Sequence, residues 1–308
     1  MVNDQHHEIT IYAITSVHPI DWSSPSKLLK TIQACYFKAS LKKNFYVIGH
    51  VIAQINSPLL SKPVFAAMLG AVKSEKVVMV IKKKIGLGAM GYTFQGKMEP
   101  EERIKKGIAL YSKRKKIAFL KIRINEESLY RLLRFIDYYQ NKTEDGLAPC
   151  NYYNGALWPA FGNEGAGCSS FGMSLLDIAN IFPKAANEWC LNLKIPMDLI
   201  GGELNNNKVV KIGAIRRAKK WHSGEGIPDI DYVNHRIYDP NLIFKWIMNK
   251  RNENDPEFQD ITLQDIPGLV TDMTAARFDE EENFLKKRQE FDLFVANHYN
   301  KICCAMIE

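Results

Sequence analysis

The chain has 308 residues, 46% of them hydrophobic and 24% charged, with 19 Gly and 13 Pro. Those proportions exclude collagen-like, low-complexity and wholly disordered chains, and the length admits one elaborated domain or two of roughly 150 residues. Lys and Arg number 41 against 34 Asp and Glu, a formal charge of +7 that permits an anionic partner without demanding one.

Residues 8–17 (EITIYAITSV) are β-branched and stop at His18-Pro19, which predicts a strand. From Ser24 to about Ala39, Leu28, Leu29, Ile32 and Tyr36 recur at helical spacing. Residues 44–55 (NFYVIGHVIAQI) predict a long apolar strand carrying one conspicuous polar side chain, His50. Lys76–Ile85 predicts another strand, Glu99–Ser112 a helix, and Lys116–Ile124 a strand. Asn125 is placed to cap a helix carrying Leu129, Leu132, Leu133 and Ile136. Residues 141–167 form a long Gly- and Asn-rich segment whose aromatics, Tyr152, Tyr153, Trp158 and Phe161, argue for an ordered functional loop. A helix is predicted from Cys168 to Asn180. Beyond Pro183 the signals weaken to a short strand at Lys208–Ala214, a helix at Pro240–Lys250 and a long helix at Glu280–Ile302. Without steady βαβ alternation the expected class is α+β.

The six cysteines, Cys35, Cys150, Cys168, Cys190, Cys303 and Cys304, have neither CxxC nor zinc-finger spacing. They read as reduced thiols of a cytosolic protein. The N-terminal MVNDQHHEITIYAITSVHP lacks the basic and apolar regions of a secretory signal. No apolar run reaches the ~20 residues of a spanning helix. The expectation is therefore a protein without an integral membrane segment, cytoplasmic where it is synthesised. A Lys- and Asn-rich cysteine enzyme of this kind also suits an effector delivered to a host cell by a signal-peptide-independent secretion system.

The strongest chemical signal is Gly165-Ala166-Gly167-Cys168-Ser169-Ser170. A cysteine heading a helix meets unpaired amides and the positive dipole end, which favour the thiolate. The same amides are placed to support a developing oxyanion. Among the seven histidines, His50 alone sits in an apolar strand, the element best suited to hold a general base. Read locally, each residue also fits a blander role, a core histidine and a small buried thiol.

A Gly-His strand, further strands, a helix, and then a Tyr/Asn-rich entry to a Cys-headed helix resemble the order of circularly permuted NlpC/P60-type proteins, over about residues 44–180. The resemblance implies a papain-like core in which an antiparallel sheet packs on the cysteine-bearing helix. It implies Cys168 as nucleophile and His50 as base, with Tyr153 lining the site. The third polar residue is not visible, and Gln54, Asn56 and Gln95 are the nearby candidates. Asn151, Asn154 and Asn163 are candidate oxyanion donors or turn formers. Trp158, Phe161, Gly167 and Ser169 would line the substrate cleft. Residues 1–183 would form the catalytic core and 184–308 a mainly helical accessory region, unless the whole chain is one continuous domain.

Other motifs carry less. Gly86-Leu87-Gly88-Ala89-Met90-Gly91 matches G-x-G-x-x-G, but a strand-like Tyr92–Gly96 follows where a dinucleotide site needs a helix, so a hairpin turn is expected. A kinase reading lacks D-F-G and a well-spaced H-R-D. No metal-ligand spacing is present and no cofactor is expected. The clusters Lys82–Lys84, Lys113–Lys116 and Arg216–Lys220 are candidate contacts for an anionic surface, and are too far from the aromatics to suggest nucleic acid. The leading expectation is a cysteine hydrolase or acyltransferase acting on a protein, peptide or acyl substrate. The alternative is a non-catalytic interaction protein on the same scaffold.

Overall fold

The computed structural model describes residues 6–41, 44–71, 79–80, 82–141, 148–253, 255–278 and 285–305. The fold is mixed α+β with mainly antiparallel sheets. The central sheet has six strands: β1 (His7–Ile14), β2 (His50–Asn56), β3 (Val64–Ala66), β6 (Ile117–Ile124), β10 (Gln259–Leu263) and β11 (Ile266–Asp272), in the order β10-β11-β6-β1-β2-β3. Its pairings are antiparallel except that of β11 with β6. A second sheet joins β4 (Met68–Gly70), β5 (Phe94–Met98) and β7 (Tyr152–Tyr153), and a third pairs β8 (Cys190–Pro196) with β9 (Tyr232–Tyr238).

Side-chain alternation along the strands gives the central sheet two buried faces. One carries Ile9, Ile11, Val51, Ala53, Leu120 and Ile122. It is covered by α3 (Glu126–Gln140), α4 (Cys168–Ile178) and α6 (Pro240–Lys250), through Leu132, Phe135, Phe171, Leu175, Ile243 and Ile247. The other face, with Ile14, Ile52, Ile117 and Phe119, packs on Ile104 and Tyr111 of α2 (Glu101–Lys113). Asn125 caps α3 as its position suggests, its side chain accepting the Ser128 N–H at 2.9 Å. The α1 helix (Pro25–Leu41) lies against α5 (Ile212–Arg217), tied by Ser26 N–H to the Ala218 carbonyl at 3.0 Å.

Several expected elements differ. The strand predicted from residue 44 begins only at His50, because Gly49 takes φ +94, a left-handed conformation that ends the preceding segment. His50 is thus the first residue of its strand, not a mid-strand one. Residues 76–78 and 81 of the predicted Lys76–Ile85 strand lie outside the described residues; within the rest, Met79 and Val80 are helical and Ile85 only bridges Val210. The glycine run becomes a 3-10 turn at Leu87–Met90. Lys208–Ala214 gives way to α5, since Ile212 and Ile215 are spaced for a helix and Ile215 is buried. The long C-terminal helix is shorter, α7 (Leu293–Ala305), preceded by non-helical residues from 285 on.

The region after 183 is not mainly helical. It supplies β8, β9, β10 and β11, and β11 is built into the central sheet beside β6. Its C-terminal part also fastens the loop ahead of Cys168. Arg288 forms a two-pronged pair with Glu164, a fully buried carboxylate that also accepts the Trp158 amide at 2.8 Å and the Tyr299 hydroxyl at 3.0 Å. Among the described residues no helix is long and apolar enough to cross a membrane.

Candidate active site

His50 opens β2 at the end of the sheet where two helix starts converge from opposite faces. Cys168 is the first residue of α4, on the Val51 face, and Glu99 lies just ahead of α2, on the Ile52 face. The imidazole therefore meets a thiol on one side and a carboxylate on the other. His50 Nε2 is 2.8 Å from Glu99 Oε2, with both side chains essentially removed from solvent. With Nε2 so engaged, Nδ1 is the nitrogen left to face Cys168, and the thiol and imidazole act on each other's proton affinity chiefly through charge.

The sulfur lies 3.9 Å from the Ser169 hydroxyl, and His50, the Val51 amide and Tyr153 are the other groups whose electrostatics couple to it. Burial on its own would push the thiol up; the charge of His50, its hydrogen bond, and then the Val51 and Ser169 donors outweigh it and hold Cys168 below the ordinary thiol range. Burial likewise opposes a charged His50, but the charge and hydrogen bond of Cys168, followed by those of Glu99, raise it. Together the directions favour a thiolate–imidazolium pair. Cys168 as a residue is only partly buried.

Helix α4 starts on Gly167, whose carbonyl accepts the Phe171 N–H at 3.0 Å while its own amide donates to Ser170 Oγ at 2.9 Å. A helix start of this kind has first-turn amides with no partner in the helix itself, the groups an oxyanion needs. Ser169 and Gly167 thus sit at the thiol, as does Tyr153 on β7.

The other expected residues are not brought to this point. Gln54 accepts the Tyr12 hydroxyl at 2.9 Å and donates to Asn56 at 3.1 Å. Both lie farther along β2, about 13 Å or more from His50 at the strand rise. Gln95 is exposed on β5, opposite Tyr152. The Trp158 indole donates to Asp177 Oδ2 at 2.9 Å, near the far end of α4, and its ring packs on Tyr238 and Phe182. Phe161 lies under the Arg288 guanidinium, 4.2 Å from its ring centre. These two aromatics pack the loop instead of meeting the thiol. Asn151 and Asn154 accept the Ala148 and Ala156 amides within their own turns, Asn154 also donates to the Gly91 carbonyl at 2.7 Å, and Asn163 accepts the Tyr138 hydroxyl at 3.1 Å.

Glu99 is the residue that sequence reasoning missed. Locally it is one of three glutamates in Met98-Glu99-Pro100-Glu101-Glu102, and nothing in that spacing separates it from its exposed neighbours. Among the described residues no group of three or more His, Cys, Asp or Glu is arranged to hold a metal ion. No family model matches this chain, and no curated protein or solved structure matches it.

Proposed function

We propose that the chain is a cysteine-dependent hydrolase or acyltransferase acting on an amide, ester or thioester. The observation that carries the reading is the His50 imidazole held 2.8 Å from the buried Glu99, with its charge and that of the Cys168 thiol acting on each other. In this reading the Cys168 thiolate attacks the acyl carbonyl, forming a C–S bond, and the helix-start amides and the Tyr153 hydroxyl support the oxyanion. His50 then gives its proton to the leaving nitrogen, oxygen or sulfur as the bond to the acyl carbon breaks. A water or an acceptor nucleophile, deprotonated by His50, releases the acyl group and restores the thiolate. Glu99 holds the imidazole in the tautomer and orientation that this cycle needs.

The papain-like, permuted NlpC/P60-type core belongs to the same proposal. What supports it is the chain order, with the histidine strand ahead of the cysteine helix, and the packing of that helix on an antiparallel sheet. A protein, peptide or acyl-bearing molecule is the substrate class that follows.

The test is labelling with iodoacetamide, mapped by peptide mass spectrometry, together with hydrolysis of an activated acyl ester. The protein should label fastest at Cys168 and release the ester's leaving group, and Cys168→Ala should abolish both while melting normally. Preferential labelling at Cys150, or ester turnover that survives Cys168→Ala, would overturn the reading.

A further inference from the structure

Tyr46, four residues ahead of β2, touches both members of the His50–Glu99 pair. Its ring stacks on the imidazole, with centroids 4.0 Å apart and planes 12° from parallel. Its hydroxyl donates to Glu99 Oε1 at 2.8 Å. Arg103 Nε, one turn along α2, donates to the same oxygen at 2.8 Å. Oε1 is thus fully occupied, and Oε2 is the oxygen left to face His50 Nε2. A glutamate's terminal torsion is broad and two-fold, so a free carboxylate would not choose this orientation by itself.

The clamp is itself anchored. The Tyr111 hydroxyl accepts the Tyr46 N–H at 3.1 Å and donates to the Tyr46 carbonyl at 2.9 Å. Arg103 Nη2 donates to the Phe45 carbonyl at 3.2 Å, and its guanidinium lies over the Phe45 ring, 5.0 Å from the centre. The stacked ring bars the imidazole from swinging out of plane on that side. One tyrosine therefore sets the plane of the base and, with Arg103, the aim of the carboxylate behind it.

We propose that Tyr46 and Arg103 are positioning residues of the Cys168–His50 site, fixing through Glu99 the imidazole orientation in which the thiol gives up its proton. The inference rests on the cysteine-nucleophile reading, and it names residues that do not touch a substrate.

The experiment follows the rate of Cys168 carboxamidomethylation by iodoacetamide from pH 5 to 10, alongside melting temperature. The variants are Tyr46→Phe, Tyr46→Leu, Arg103→Gln and Arg103→Lys. Tyr46→Phe keeps the stacked ring and removes one hydroxyl, so it isolates the contact with Glu99. The alkylation midpoint should rise in Tyr46→Phe and rise further in Tyr46→Leu and Arg103→Gln. A midpoint one unit higher lowers the rate at pH 6 about tenfold. At pH 10, where every thiol is ionised, the variants should match the parent protein, and Arg103→Lys should recover part of the shift. Tyr46→Phe and Arg103→Gln proteins that melt normally and titrate like the parent would overturn the proposal while leaving the nucleophile reading intact. A parent protein whose Cys168 titrates near 8.5, as a free thiol does, would instead overturn the nucleophile reading.

Discussion

A Cβ placed on Gly172 would stand 2.5 Å from Val51 Cγ1, so helix α4 lies against strand β2 at a distance only glycine allows. Val51 follows His50 in the strand, and Gly172 lies one turn beyond Cys168 in the helix, which makes this contact the spacer between the nucleophile's helix and the base's strand. Val51 is β-branched and short, with little freedom to turn away. Gly172→Ala should therefore cost about 1–3 kcal/mol, the usual range for overpacking. It should also raise the pH at which Cys168 alkylates, because the helix must back away from the strand. Thermal melting and the alkylation profile report the two effects separately. A lowered melting temperature with an unmoved profile would show that the thiol–imidazole distance is set elsewhere.

The thiolate–imidazolium pair has a defined pH window. Cys168 is lowered to about 7 by His50 against the opposing effect of burial, and His50 is raised to about 9 chiefly by Cys168 and then Glu99. A lowered thiol means the nucleophile ionises as pH rises through the neutral range, earlier than a free cysteine. A raised imidazole keeps its proton for the leaving group until the pH passes the higher value. Ester turnover should follow a bell with limbs near these two values, which belong to the coupled pair and not to either residue alone. His50→Ala should replace the acid limb with a single rise near the ordinary thiol range. Initial rates between pH 5 and 11 decide it.

Glu99 and Gln54 provide a direct contrast. Glu99→Gln keeps the size of the side chain but exchanges one acceptor oxygen for a donor beside His50 Nε2. The imidazole then loses the partner that fixes its tautomer. Turnover should fall about 100-fold or more, with KM little changed, since the loss falls on the chemical step. Gln54→Ala should leave turnover as it was and lose only the Tyr12 and Asn56 contacts. Steady-state kinetics on both variants separate a partner of the base from a bystander on the same strand.

That contrast also marks the limit of what was legible in the amino-acid order. Elements whose burial follows a simple period were readable: β1, β6, α3 with its Asn125 cap, and α6 emerge from apolar spacing alone. Cys168 stood out because small residues and serines around a cysteine mark a helix start. Glu99 did not, because its role comes from a meeting between the end of one strand and the start of a distant helix. Its neighbours Glu101 and Glu102 make ordinary i,i+4 pairs with Lys105 and Lys106, and Glu99 looks the same until its complete burial is known. Tyr46 was hidden for a related reason. An apolar run from residue 44 suggests one strand, whereas the turn at Gly49 detaches Tyr46 and lets it fold back over His50. Trp158 and Phe161 misled in the opposite direction, since aromatics in a long loop signal a cleft and a packed plug equally well. The C-terminal strands were lost because short runs such as β9 alternate only partly, and β11 needs β6 beside it to become a strand.

Acid should loosen the C-terminal part of the fold first. His235 meets Phe294 of α7 edge-on at 5.3 Å, and His298, on α7 itself, meets Tyr152 edge-on at 5.0 Å. Burial lowers His235 to about 4. Burial also lowers His298 to about 4, helped by the Arg288 and Lys301 charges and opposed by the Asn163 carbonyl. Both imidazoles are therefore neutral in the folded chain and protonate more readily when it unfolds, near pH 6.5. Their contribution is complete above that pH and drains away as pH falls toward 4, at about 1.4 kcal/mol per pH unit for each ring. Between pH 6.5 and 5, before most carboxylates titrate, the melting temperature should already fall. His298→Gln should flatten that slope by roughly half, because one of the two rings no longer titrates. Calorimetric melting across that interval checks the slope, and a melting temperature constant from pH 6.5 to 5 would show that these histidines already bind their protons in the folded state.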